Sequence, residues 1–399
     1  MEFLVAFLGY DGAILTGKRP QEHWRRKIMH IQEGSIILLK LYDVANEIRL
    51  DAIPPDIFAG KLPVRQRLVR VDTNSIELVR PPVAVDLGPR AWETTCGRLV
   101  LDIAVHFFDM GVMGLAARIA TNDMALEDFA HLALALHREP EVERQLAWEL
   151  QHILEGVSQA LVNPHGALHF EEDFTFYVIQ RTDTPLSREA LSANPLLISM
   201  LHGASRPVSR QQIALTLENS FSFYEAEDLV VLNYDNALIV DREDCGDVLL
   251  LVEYAVVQVL EMRYYDDLLT KKLQELHDDV DRKLPFLEAL FSRRWSALSR
   301  RGMKLLLETR LMTDHLTSAV QVTEDVYYAQ IYSRALRIFD TRQWLAKVNE
   351  KLRSMKEAYD LMENEIESRR STILEWIVIA LIAFEATPLL RDLARLLSR

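Results

Sequence analysis

Residues 10–20, YDGAILTGKRP, hold Gly12, Gly17 and Lys18 at the spacing of a phosphate-binding loop, G-x-x-x-x-G-K-[ST]. In such a loop the hydroxyl after the lysine binds Mg²⁺ and the lysine reaches the phosphates. The helix starts at the lysine, so that its N–H groups face the anion. Here Arg19 replaces the hydroxyl and Pro20 delays the helix. Ala13-Ile14-Leu15 is apolar, as in a returning strand. The stretch therefore reads better as a hairpin turning at Tyr10-Asp11-Gly12 than as a nucleotide site.

Three other places carry residues capable of chemistry. His165 and His169, with Glu171, Glu172 and Asp173 behind them, could ligate zinc if they shared a helical face. Pro164 and Gly166 argue instead for a loop, where a spacing of four defines no face. RYYDD (263–267) sets Tyr264, Tyr265, Asp266 and Asp267 in mid-helix. Buried carboxylates there could exchange protons, whereas a solvated polar stripe would do nothing. No nucleophile or oxyanion donor can be assigned beside them, which favours the stripe. FSRRWSALSRRGMK (291–304) is the best basic patch and could meet RNA or anionic lipid. Acidic neighbours are the commoner partners of such a face. No residue is thus assigned a catalytic, cofactor or metal role, and no cofactor is expected.

The bulk properties narrow the classes. The chain has 399 residues, 49% of them apolar, enough for two or three domains with a substantial core. With 45 basic and 59 acidic side chains its net charge is −14, opposite to the footprint of a nucleic-acid binder. Residues 187–241 run helix, helix, hairpin like a winged helix, but Arg210 is the single base in the segment that would read DNA. Cys96 and Cys245 fit no metal spacing and suit a reducing compartment. Glu2 stands where a signal peptide needs positive charge. The expected compartment is the cytoplasm.

The elements that position these residues change character along the chain. A mixed α/β head is expected over 1–163. It comprises the hairpin, a helix over 20–34 closed by Gly34, strands at 35–44 and 67–73, a strand from 99 turning near Phe108-Asp109, and helical periods over 124–161. A second α/β segment follows over 164–246, with a strand at 173–181 and a hairpin around Tyr234-Asp235-Asn236 that echoes Tyr10-Asp11-Gly12. Residues 247–340 are a helical region, opened by a helix of about ten turns. The fold class is α+β, the mixed head leading into a long all-helical coiled-coil C-terminal region.

In that region Leu345, Val348, Leu352, Met355, Tyr359, Met362 and Ile366 recur at steps of three and four, the seam of a coiled coil and an expected homo-oligomer contact. The apolar run that follows includes Leu374, Trp376, Ile377, Ile379, Leu381 and Phe384. It is expected to engage a membrane or a partner, although Glu375, Glu385 and Pro388 make it a marginal span.

SRRSTILEWIVIALIAFE (368–385) resembles the terminal signature of the required-for-meiotic-nuclear-division family of uncharacterised proteins, through Leu374, Glu375 and Trp376. VLDIAVHFFDMGVMG (100–114) is similar to that family's head strand. The resemblance implies a membrane-associated, self-associating protein without demonstrated catalysis, whose eukaryotic relatives sit at the mitochondrial inner membrane and support translation. The leading expectation is thus a non-enzymatic oligomeric scaffold or adaptor held at the inner face of a membrane by residues 373–390. A metal-dependent hydrolase with its site near 165–173 or 264–267 is the second expectation. A nucleic-acid module is the third.

Overall fold

Alternating burial along consecutive strands builds the molecule. In the computed structural model the described residues are 29–58, 60–68, 76–137, 139–165, 170–204, 206–222, 228–243, 245–281, 302–304, 306–307, 309–310, 313–314, 320–322 and 326–397. The near-miss phosphate loop, its hairpin, His169 and residues 291–301 of the basic patch lie outside them.

The strands are β1 (His30–Asp43), β2 (Ala45–Ile48), β3 (Val64–Arg65), β4 (Ile76–Leu78), β5 (Val83–Thr94), β6 (Gly97–Phe107) and β7 (Val112–Ala120). They continue as β8 (Met124–Ala125), β9 (Leu161–Pro164), β10 (Glu171–Thr182), β11 (Ser220–Phe221), β12 (Asp228–Leu232), β13 (Asn236–Asp241) and β14 (Val320–Val322). The helices are α1 (Leu126–Leu136), α2 (Pro140–Val157), α3 (Arg188–Ser192), α4 (Pro195–Leu201), α5 (Arg210–Glu218), α6 (Gly246–Asp281), α7 (Val326–Ile338) and α8 (Thr341–Leu397).

A 10-stranded mixed sheet runs β11-β12-β13-β10-β1-β7-β6-β5-β3, with β8 beside β1. Its hairpins are antiparallel, and β10 and β13 pair in parallel. Parallel neighbours need a crossover, which α3, α4, α5 and β12 supply. Strand β1 lies between β10 and β7. Both of its faces are covered, so Ile36, Leu39 and Leu41 are all buried.

Period two decides which side of the sheet each residue serves. Tyr177, Ile179 and Leu238 join the core under α1, α2, α3 and α4, with Phe129, Leu146, Leu191 and Leu197. Phe176, Val178 and Ile239 point to the opposite core, with Val248, Leu251, Tyr254 and Val257 of α6 and Ile331 of α7. Residues 250–262 of α6 are buried on all sides because the sheet covers one side and α7 and α8 the other.

The chain is α+β, as its patterning indicates. Local differences remain. The helix expected over 20–34 does not end at Gly34, since β1 already begins at His30. Gly34 sits at a bulge in the β1–β10 pairing. A Cβ there would lie 3.0 Å from Ile31 Cγ2, Thr121 Oγ1 and the Val178 carbonyl oxygen, so Gly34 permits close approach and stops no helix. The hairpin at Tyr234-Asp235-Asn236 is bound into the sheet between β11 and β10.

Membrane association through the C-terminal helix is overturned. Among the described residues no helix is long and apolar enough to cross a membrane. Trp376–Phe384 is a charge-free run of nine residues. That makes about 14 Å of helix, half of a hydrocarbon core of roughly 30 Å.

Candidate functional site

Ring stacking brings together two of the places flagged by sequence. His165, just after β9, stacks on Tyr264 of α6 with centroids 4.6 Å apart and planes 22° from parallel. Its Nδ1 lies 3.1 Å from Asp43 Oδ1, and its Nε2 lies 3.0 Å from Asn46 Oδ1. Local pairing sets this geometry. Strand β2 pairs β9, which fixes Asn46 beside the His165 segment, and the His165 backbone N–H donates to the Val44 carbonyl.

A buried acidic group lies beneath this pair. Asp43 ends β1, Asp109 sits in the β6–β7 turn and Glu261 faces them from α6, all three at least nine-tenths buried. Arg80 Nη1 reaches Asp109 Oδ2 at 3.2 Å. Burial pushes the Asp43 carboxyl up, against the hydrogen bond and charge of His165. Burial, then the charges of Asp43 and Asp109, push Glu261 well above the usual carboxylate range. Its Oε1 has no hydrogen-bond partner. Burial of this kind favours the protonated form of a carboxyl. Burial, followed by the charges of Asp43, Glu261 and Asp267, also raises the Tyr264 hydroxyl.

The stack of His165 on Tyr264 joins the end of β9 to α6 above this acidic group. Among the described residues no three His, Cys, Asp or Glu side chains are placed to hold a metal ion. Asp266 and Asp267 do not join the acidic group. Asp266 pairs with Lys351 of α8 at 2.5 Å, and Asp267 with Lys271 one turn on at 2.7 Å. Glu172 pairs with Arg263, and Asp173 with Lys40 at 3.0 Å.

Sequence reasoning passed over Asp43, Asp109 and Glu261. The signal that could have found Glu261 is a lone acid in the apolar run AVVQVLEM, on the same helical face as Tyr254 and Gln258.

Helix α8, 57 residues and about 86 Å long, has two unlike halves. In the first, Val348, Met355 and Tyr359 are buried against Tyr265, Leu269 and Leu276 of α6 in the same chain. Leu352 is partly buried there, and Leu345 packs on the core above. The side chains of Met362 and Ile366 lie outside the described set.

In the second half the side chains from Leu374 to Phe384 are exposed. Leu374 is 63% exposed, Trp376 67%, Ile377 50%, Ile379 54%, Leu381 60% and Phe384 78%. Val378 and Ile382 are more than half exposed as well. These residues fall on every side of the helix.

Comparison with known proteins corrects the resemblance drawn from the tail. A family model described as "Uncharacterized protein MJ0711, N-terminal domain" matches residues 33–246. "Uncharacterized protein MJ0711" of Methanocaldococcus jannaschii is 24% identical over 250 residues, 60% of this chain and 72% of that protein. No solved structure matches. The match falls on the sheet and its helices, not on the tail that suggested the meiotic-division family. An apolar run behind heptads recurs wherever a helix needs partners, so its 18 residues carry little family information. Because the matched segment is more than half of the chain, the protein belongs to the family of the MJ0711 N-terminal domain.

Proposed function

We propose that this protein self-associates through the distal half of α8, in a helical bundle formed with further copies of the same chain. The observation that carries the reading is the exposure of Leu374, Trp376, Ile377, Val378, Ile379, Leu381 and Ile382, each 50% or more. Contiguous exposed apolar surface of this kind marks an interaction site. Together these side chains present on the order of 800 Å² per chain, the scale of one side of a standard interface.

Two features favour sister chains as the partner. The steps of three and four that run from Leu345 through Ile366 continue to Arg369, Ile373 and Trp376, so the helix keeps one phase from its covered half to its bare half. The run Trp376–Phe384 is apolar all round, and a helical stretch of that kind needs neighbours on several sides. A two-stranded pair would leave one side wet. The reading is therefore an assembly of more than two tails, with the sheet-bearing bodies outside it.

Light scattering on the full chain during gel filtration tests this. The expected mass is three or more chains. The double substitution Ile377→Glu with Leu381→Glu, at sites that touch no core, is expected to give monomers with an unchanged circular dichroism spectrum. A native chain that runs as a monomer at 50 μM would refute the reading.

A further inference from the structure

A cavity of about 560 Å³ opens where α6, α7 and the first turn of α8 meet. Its walls divide by chemistry. Phe221, Met262 and Leu336 form an apolar side. Arg334, Arg337 and Arg342 form a cationic side, and Asp340 is the carboxylate beside them. The Arg334 guanidinium lies over the Phe221 ring, 5.2 Å from its centroid, which joins the two sides.

Thr341 lies in the same wall, at the first residue of α8. It is 6% exposed, and its hydroxyl has no hydrogen-bond partner. An orphaned buried hydroxyl is rare, because leaving it unpaired is costly. The hydroxyl oxygen itself is buried behind the cavity wall, at the start of a helix of 57 residues. The first N–H groups of such a helix have no intrahelical acceptor and attract anions. The three guanidinium groups of the lining, at the start of α8, ask for an oxyanion.

We infer that this cavity is a binding site for a small phosphate ester. The phosphate would sit at the start of α8, taking charge-assisted bonds from Arg337 and Arg342. The organic body would lie against Phe221, Met262 and Leu336. The volume accommodates a mononucleotide-sized molecule. Guanidinium forks suit the oxygens of a phosphate better than a point charge does, and three of them outweigh the single Asp340. This site is separate from the distal α8 surface and does not depend on self-association.

Isothermal titration calorimetry on the full chain tests the inference, with adenosine monophosphate and inorganic phosphate as probes in 0.1 M NaCl. The nucleotide is expected to bind saturably and at least tenfold more tightly than inorganic phosphate. Arg337→Gln with Arg342→Gln, both exposed positions, is expected to weaken it at least tenfold. The inference fails if neither probe saturates, if the two bind equally, or if the double variant binds the nucleotide as the native chain does.

Discussion

His106 of β6 and Glu253 of α6, 147 positions apart in the chain, meet in the interior with Nδ1 2.7 Å from Oε1 and 3.0 Å from Oε2. A carboxylate only accepts, so the Nδ1 proton is the one shared. Burial alone would depress the imidazole, but the charge and hydrogen bond of Glu253 outweigh it and raise the pKa of His106. The pair's contribution is therefore complete below the unfolded value of 6.5 and is lost as pH rises through the folded value. Glu253→Gln is expected to destabilise by about 3 kcal/mol near pH 6, as removal of one partner of a buried ion pair does. The deficit should narrow by pH 9, read from urea denaturation at both pH values.

Glu261 has the opposite value to the fold at neutral pH. Its folded pKa is raised, so its contribution is full below the unfolded value of 4.5 and is lost as pH climbs toward the folded one. Glu261→Gln keeps the shape and removes the titration. The variant should equal the native chain at pH 4 and melt higher at pH 8. An unchanged melting temperature at pH 8 would show that Glu261 is not held neutral.

Gly111 closes the β6–β7 turn beside Asp109. Its φ is +101°, a region that side chains seldom adopt, and a Cβ there would overlap the Ala45 carbonyl oxygen. Its own carbonyl accepts from Val44 N–H at 3.0 Å. Gly111→Ala should cost about 3 kcal/mol or more, combining backbone strain with displacement of β2. Gly97 also has positive φ, at +100°, but meets nothing within 4 Å, so Gly97→Ala should cost only about 1 kcal/mol. Comparing the two by urea midpoint separates steric overlap from conformation.

Along α8, adjoining layers should respond with opposite sign. Thr341→Val removes an orphaned hydroxyl and should stabilise the free protein by about 1 kcal/mol. Met355 is 0% exposed in the α6–α8 core, so Met355→Ala should cost about 2–5 kcal/mol. Calorimetric melts of ligand-free protein check both.

The fold was legible wherever periodicity was local. The strands at 35–44 and 173–181, the hairpin at 234–236 and the long helix from 247 are present because their apolar spacing admits one structure. Ser209 Oγ accepts from Gln212 N–H at 3.2 Å and caps α5. What could not be read was partnership across the chain. Nothing in Asp43, Asp109 or Glu261 taken singly shows that a strand end, a turn and a helix will converge. The heptads of α8 specify an apolar seam, but not that α6 of the same chain supplies its cover. Thr341 has no signature in sequence, since its meaning lies in what fails to surround it.

Helices α6 and α8 run in the same direction. Gln258 lies level with Thr341 around the cavity, Asp266 pairs with Lys351, and Glu275 acts on Tyr359. The backbone must therefore double back before α8 can dock, and the Lys351 bond to the Asp266 carbonyl closes a span of 85 positions. During synthesis the greasy ridge of α6 leaves the ribosome well before its cover exists. A chain stalled ahead of residue 341 should offer that ridge to chaperones, and completion of α8 should withdraw it.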